Sequence, residues 1–197
     1  MKGVVLCDIG SDKFEPLSSE IHPILFPLAG TPILAYTLEF LERGGLDDIL
    51  LICSTHFDQI QNYIASSRWG GKGYPVKVKA VVAPAIRSTG DAMREIDRLG
   101  LVKSDFVLIR GGLLSNLPLL SIVEEHRRRR EEDRDGMLMT IVALATETRT
   151  AFSNRRYLST RSVTDEGIYM MHDYMYLRIS TPSLQTTLFT VRCSLNP

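Results

Sequence analysis

Short runs of Val, Ile and Leu recur along this chain at intervals that leave room for one helix between each pair. Gly3 to Cys7, Ile49 to Cys53, Val76 to Val82, Phe106 to Ile109 and Leu138 to Leu144 are such runs. The first four are too short to be buried helices. Strands this uniformly apolar belong to parallel sheets covered on both faces, since a sheet wet on one side alternates apolar with polar residues. Between the runs the pattern turns helical. Thr31 reads as an N-cap with Pro32 at the first helical position, Leu34, Leu38 and Leu41 line one face, and Gly44-Gly45 is the stop. Further helices are expected near Asp58 to Ser66, Asp91 to Leu99 and Leu119 to Arg134. The expected fold class is therefore α/β, a mainly parallel Rossmann-like sheet flanked by helices.

The alternation decays after Ala145. Thr146 to Asp165 is rich in Thr, Arg and Ser with little periodicity, Ile168 to Ile179 regains β character, and Pro182 to Phe189 is expected to form a short closing helix. The expected organisation is a core over 1–145 and an irregular extension over 146–197 that completes or erodes the same domain. A length of 197 residues, 44% hydrophobic, suits one globular domain. Twenty-three basic residues cancel twenty-three acidic ones, so no net field draws the chain to nucleic acid or an anionic membrane. Three cysteines, two of them inside strand-like runs, fit neither a disulfide framework nor a zinc site. No apolar stretch approaches the roughly 20 residues of a spanning helix, and no basic segment followed by an apolar one opens the chain. A cytoplasmic location is expected.

Few residues suggest chemistry. Asp8 and Asp12, in the polar loop after the first strand, have the oxygens a metal needs, but acids capping turns explain them more simply. Thr89-Gly90-Asp91 reads as a helix start, with Thr89 or Asp91 capping and Gly90 permitting a tight entry. Such a start can also hold an anion. Arg127 to Arg130 precede Glu131-Glu132-Asp133, which on a helix sets Arg127 near Glu131, Arg128 near Glu132 and Arg129 near Asp133. That describes a self-neutralising solvated face rather than a nucleic-acid site. His22, His56, His126 and His172 lack metal-like spacing and a paired acid in sequence. Nucleophile and phosphate-loop signatures are absent.

Several segments carry a resemblance. Gly30-Thr31-Pro32-Ile33-Leu34-Ala35-Tyr36-Thr37-Leu38-Glu39-Phe40-Leu41 is followed by Ile52-Cys53-Ser54-Thr55-His56-Phe57-Asp58-Gln59-Ile60, Ser66-Ser67-Arg68-Trp69, Arg87-Ser88-Thr89-Gly90-Asp91-Ala92-Met93-Arg94-Glu95-Ile96-Asp97 and Ser104-Asp105-Phe106-Val107-Leu108-Ile109. In order and spacing these resemble the N-terminal domain of the epsilon-subunit family of translation initiation factor two-B, a branch of the sugar nucleotidyltransferase-like group. The resemblance covers roughly residues 1–145, and Asp173 to Thr190 only faintly resembles the end of that domain. It implies a role in a multi-subunit assembly that exchanges guanine nucleotide on the GTP-binding initiation factor two. Exchange in that family lies mainly in a C-terminal helical-repeat domain joined by a left-handed β-helix, and neither follows before Pro197. Val191 to Pro197 departs from the family where an Asn-Phe pair implicated in contact with the substrate factor is expected.

Measured against the group's catalytic pattern, the working parts are missing. A Gly-Gly-x-Gly-Thr-Arg loop wraps the triphosphate in that pattern, whereas here Gly10 stands alone and Lys13 occupies the place of the arginine. Pro23 falls where a Pro-Lys-Pro motif has its lysine, and Gly111-Gly112 stands where a Gly-Asp pair supplies the Mg²⁺ ligand. The resemblance thus implies a vestigial nucleotide pocket of Asp8, Gly10, Ser11, Asp12, Lys13, Thr89, Gly90, Asp91, Gly111 and Gly112, with no catalytic residue, cofactor or metal. The expectation is a non-catalytic subunit or fragment that assembles with other exchange-factor subunits and docks the GTP-binding factor, without direct contact to nucleic acid or membrane. The alternative is a Mg²⁺-dependent sugar-phosphate nucleotidyltransferase with an atypical loop. A third reading is a relic pocket that binds nucleotide or sugar phosphate without turnover.

Overall fold

A computed structural model of the chain describes residues 1–8, 14–83, 86, 88–133, 137–144, 178–181 and 184–192. In chain order the elements are β1 (Lys2–Leu6), α1 (Leu17–Glu20), a 3₁₀ turn (Pro23–Leu25), β2 (Pro27–Leu28), β3 (Thr31–Pro32), α2 (Ile33–Arg43), β4 (Asp48–Cys53), α3 (Phe57–Ser66), β5 (Lys77–Val82), α4 (Thr89–Arg98), β6 (Phe106–Arg110), α5 (Leu119–Glu132), β7 (Met137–Leu144), β8 (Arg178–Thr181) and β9 (Leu184–Arg192). They fall into two compact units, Met1–Val123 and Glu124–Pro197.

The first unit is built on four parallel strands in the order β5-β4-β1-β6. Successive side chains of a strand point to opposite faces, and both faces here are apolar. Val4 and Leu6 of β1 join Leu50 and Ile52 of β4 in a buried cluster closed by Ala92 and Ile96 of α4. On the other face Gly3 leaves room for α2, since a Cβ there would lie 3.3 Å from the Leu41 side chain. Leu34, Leu38 and Leu41 of α2 are fully buried, each worth about 1.5–3 kcal/mol relative to exposure. Burial of that stripe, more than helix propensity, holds α2 on the sheet.

The helix ends explain where the sequence reading shifts. Thr31 is not an N-cap: it pairs with Leu28 in the β2–β3 hairpin, and α2 begins at Ile33. Ala29 (φ 50°) and Gly30 (φ 79°) form the two-residue turn of that hairpin, both in the left-handed region such a turn requires. The glycine before Thr31 thus serves a turn rather than a helix start. At the other end the stop is as expected. Leu46 N–H donates to Leu41 O and Gly45 N–H to Glu42 O with Gly45 at φ 75°, a Schellman cap that buries Leu46 beside Leu41.

In the second unit β7, β9 and β8 form an antiparallel sheet with β9 in the middle. This overturns the closing helix expected over Pro182 to Phe189, because Leu184 to Phe189 lies in β9, where Thr186 pairs with Leu144 and Phe189 with Ile141. A proline followed by leucine resembles a helix start, but Thr186, Thr187, Thr190 and Val191 are β-branched and Phe189 aromatic, and such side chains favour a pleated surface. Of the β-like stretch Ile168 to Ile179 only Arg178 and Ile179 are described, both in β8. Thr146 to Asp165 lies outside the described residues. Among those described, no helix is long and apolar enough to cross a membrane.

Candidate functional site

The chain leaves β1 toward β4 and β5 on one side and returns to β6 on the other. Ligands of open α/β sheets bind outside the carboxyl ends of the strands at such a reversal. At this crevice Gly111 follows β6, and its N–H donates to Leu6 O at 2.7 Å. A Cβ on Gly111 would sit 2.9 Å from Cys7 O and 3.0 Å from Leu6 O, both backbone atoms. Only glycine fits. Gly112 beside it has φ 84°, so the backbone conformation, too, favours glycine there.

Asp8, one residue beyond Cys7, has described partners outside its own loop. Its side chain is 6% exposed and turns across the sheet toward the end of β4. Oδ2 accepts from Ser54 N–H, while Oδ1 accepts from Thr55 Oγ1 at 2.7 Å, Thr55 N–H at 3.3 Å and His22 Nε2 at 3.0 Å. His22 is fully buried. Its Nδ1 accepts from Ile24 N–H at 3.2 Å, which places the ring proton on Nε2, directed at Asp8. Burial pushes the Asp8 carboxyl toward its neutral form, but the hydrogen bonds from His22, Thr55 and Ser54 outweigh it and hold the group below the ordinary carboxylate range. The thiols underneath respond in turn. Burial, reinforced by the Asp8 charge, pushes Cys53 up to about 12, and burial followed by Cys53 and Asp8 raises Cys7.

A second layer fixes His22. Gln59 of α3 accepts from His22 N–H at 3.1 Å and donates to Glu20 O at 2.8 Å. His56, at φ 47° before α3, places Nε2 3.1 Å from Ser19 O and stands edge-on to His22 at 6.2 Å. The segment after the loop is therefore fastened to the start of α3, with Asp8 and His22 at the junction.

The remaining expected residues separate into two groups. Gly10, Ser11, Asp12 and Lys13 lie outside the described residues. Thr89, Gly90 and Asp91 form the first turn of α4, but the N-cap is Ser88, whose Oγ accepts from Asp91 N–H at 3.1 Å and donates to the Asp91 carboxylate at 2.8 Å. Thr89 therefore does not cap. Nor does Gly90 need to be glycine, since a Cβ there would meet nothing nearer than 3.7 Å. Of the sequence-derived set, Asp8, Gly111 and Gly112 stand together at the crevice.

The basic helix carries ion pairs along its own length. Arg128 pairs with Glu132 as spaced, yet Glu125 also takes both Arg128 and Arg129. Hydrogen bonds from those two guanidinium groups hold the Glu125 carboxyl down at about 2. Among the other histidines, His126 meets the buried Thr140 hydroxyl at 2.9 Å, and His172 lies outside the described residues. No group of three or more His, Cys, Asp or Glu side chains able to hold a metal occurs among the described residues.

Sequence reasoning missed His22, Ser54, Thr55 and Gln59. One signal was available. Asp8 and Ser54 each follow a buried run closely, and adjacent parallel pairing of those runs puts the two loop starts side by side. Nothing comparable marks His22, which reaches Asp8 through the fold.

Comparison with known proteins agrees with this fold. The Nucleotidyl transferase family matches residues 2–153. Translation initiation factor eIF2B subunit epsilon from Schizosaccharomyces pombe is 38% identical over 142 residues, and that from Dictyostelium discoideum 38% over 149. These alignments cover 72% and 75% of this chain and 21% of each relative, so the chain spans about a fifth of their length. A crystal structure of apo UDP-glucose pyrophosphorylase matches at a TM-score of 0.57 with 13% identity, over 97% of this chain and 74% of that one, which is a likeness of fold. The resemblance to the epsilon subunit and the nucleotidyltransferase-like fold class are both borne out.

Proposed function

We propose that this chain, which belongs to the nucleotidyl transferase family, uses the family's fold as a docking domain in translation initiation and not as a catalyst. Its partners would be further subunits of an eIF2B-type assembly and the GTP-binding initiation factor that such an assembly serves, in the cytoplasm. Guanine-nucleotide exchange itself would need a domain beyond the segment matched here.

The observation that supports this reading best is the state of the acids at the crevice. A nucleotidyl transfer site needs carboxylate lone pairs free for Mg²⁺, which bridges phosphate oxygens and offsets charge in the transition state. Asp8 has its oxygens engaged by His22, Ser54 and Thr55, and the end of β6 offers only Gly111 and Gly112. An ionised Asp8 at the crevice would also repel an incoming triphosphate. The test is pyrophosphate release from nucleoside triphosphates and sugar 1-phosphates with Mg²⁺, across a broad panel. The docking reading expects no turnover above a protein-free control. Saturable pyrophosphate release would replace it with the atypical-enzyme reading.

A further inference from the structure

The carboxylate of Asp8 sits in a cage built from separate parts of the chain. Ser54 and Thr55 present backbone N–H groups from the end of β4, Thr55 adds its hydroxyl at 2.7 Å, and His22 adds Nε2 at 3.0 Å. The donors have supports besides Asp8. Gln59 and Ile24 hold His22 through its backbone N–H and its Nδ1, and β4, anchored by Leu50, Ile52 and Cys53 in the core, positions Ser54 and Thr55. His22 is fully buried and Thr55 exposed, so the cage has an inner wall and a rim open to solvent. Preorganised donors converging on one carboxylate form an oxyanion site.

We propose that this cage is a latent anion-binding site, closed in the native chain by the protein's own Asp8 carboxylate acting as an internal ligand. The site would take a small oxyanion, either a carboxylate or a terminal phosphate oxygen, once the Asp8 side chain is removed. The arrangement is autoinhibitory: the anion that the crevice can accept is already supplied in covalent form, at an effective concentration no free ligand matches. The proposal rests on the cage and holds whether or not the domain docks a translation factor.

Asp8→Gly and Asp8→Ala remove the internal anion and leave the donors orphaned, which costs stability until an anion returns. Thermal unfolding is followed with formate, which matches the lost carboxylate in size, and separately with tripolyphosphate, each against chloride at equal ionic strength. The expected result is a saturable rise in Tm of several degrees for the glycine and alanine variants. The native chain and Asp8→Asn, in both of which the cage stays filled, respond no more than to chloride. A response to formate alone defines a carboxylate-sized site, and a response to tripolyphosphate as well defines one that admits phosphate. If the variants do not fold unaided, refolding yield in formate relative to chloride gives the same reading. Folded variants that respond no more than the native chain, or unfolded ones that formate does not recover, overturn the proposal.

Discussion

Asp8 stabilises the first unit only while it is ionised, and that gives its role a pH signature. Its folded-state affinity for a proton is lowered, so its contribution is fully present above the unfolded carboxylate value of about 3.9. It is lost as pH falls through the lower folded value. Asp8→Asn keeps the shape and removes the charge, leaving His22 and two backbone donors with a poorer acceptor. The expected cost near neutral pH is about 1.5–3 kcal/mol, seen as a lower urea midpoint, and the gap to the native chain narrows below about pH 4. A gap that stays unchanged as pH falls from that value through the lower folded one would show that the charge is not what the cage holds. Gly111→Ala tests the other side of the crevice. Its Cβ would press on Cys7 O and Leu6 O, backbone that cannot rotate away, so β1 and β6 must separate locally. A loss of about 1–3 kcal/mol is expected by denaturant titration. Neither effect was legible in the residue pattern. The pattern identified Asp8 as a loop acid, but the partner that defines it, His22, lies 14 residues along the chain, at a spacing that corresponds to no local structure.

The elements were more legible than the side chains, because apolar runs and helical stripes are properties of neighbouring residues. Four expected parallel strands fall within about a residue of those observed, and α2 ends at the glycines expected to stop it. The failures occur where a local signal had two uses. Gly30-Thr31-Pro32 looks like a helix start but completes a hairpin, and Pro182 to Phe189 mimics another start while its threonines pair across β9 and β7. At α4 the cap is Ser88, ahead of both expected candidates, Thr89 and Asp91, and the difference can be measured. Ser88→Ala removes the acceptor for Asp91 N–H and is expected to cost about 1 kcal/mol. Thr89→Ala, one residue on, is expected to change the unfolding midpoint little. A larger loss at Thr89 than at Ser88 would contradict the assignment of the cap.

At the scale of the molecule, the sheet order carries the family likeness, and the proposed departure from catalysis belongs to the crevice. A 3-2-1-4 order of parallel strands, written here as β5-β4-β1-β6, creates the place where a nucleotide would bind. Among the described residues there, Asp8 is a caged acid and Gly111 and Gly112 follow β6. The sequence pattern was sufficient for the parallel sheet because burial on both faces leaves uniformly apolar runs. A docking surface leaves none in a chain whose charges cancel. The central claim is therefore best tested by association. The tagged chain would be isolated gently from its native cells and its companions identified by mass spectrometry. The docking account predicts recovery of other eIF2B subunits or of the GTP-binding initiation factor two, and a chain that emerges folded and alone would contradict it.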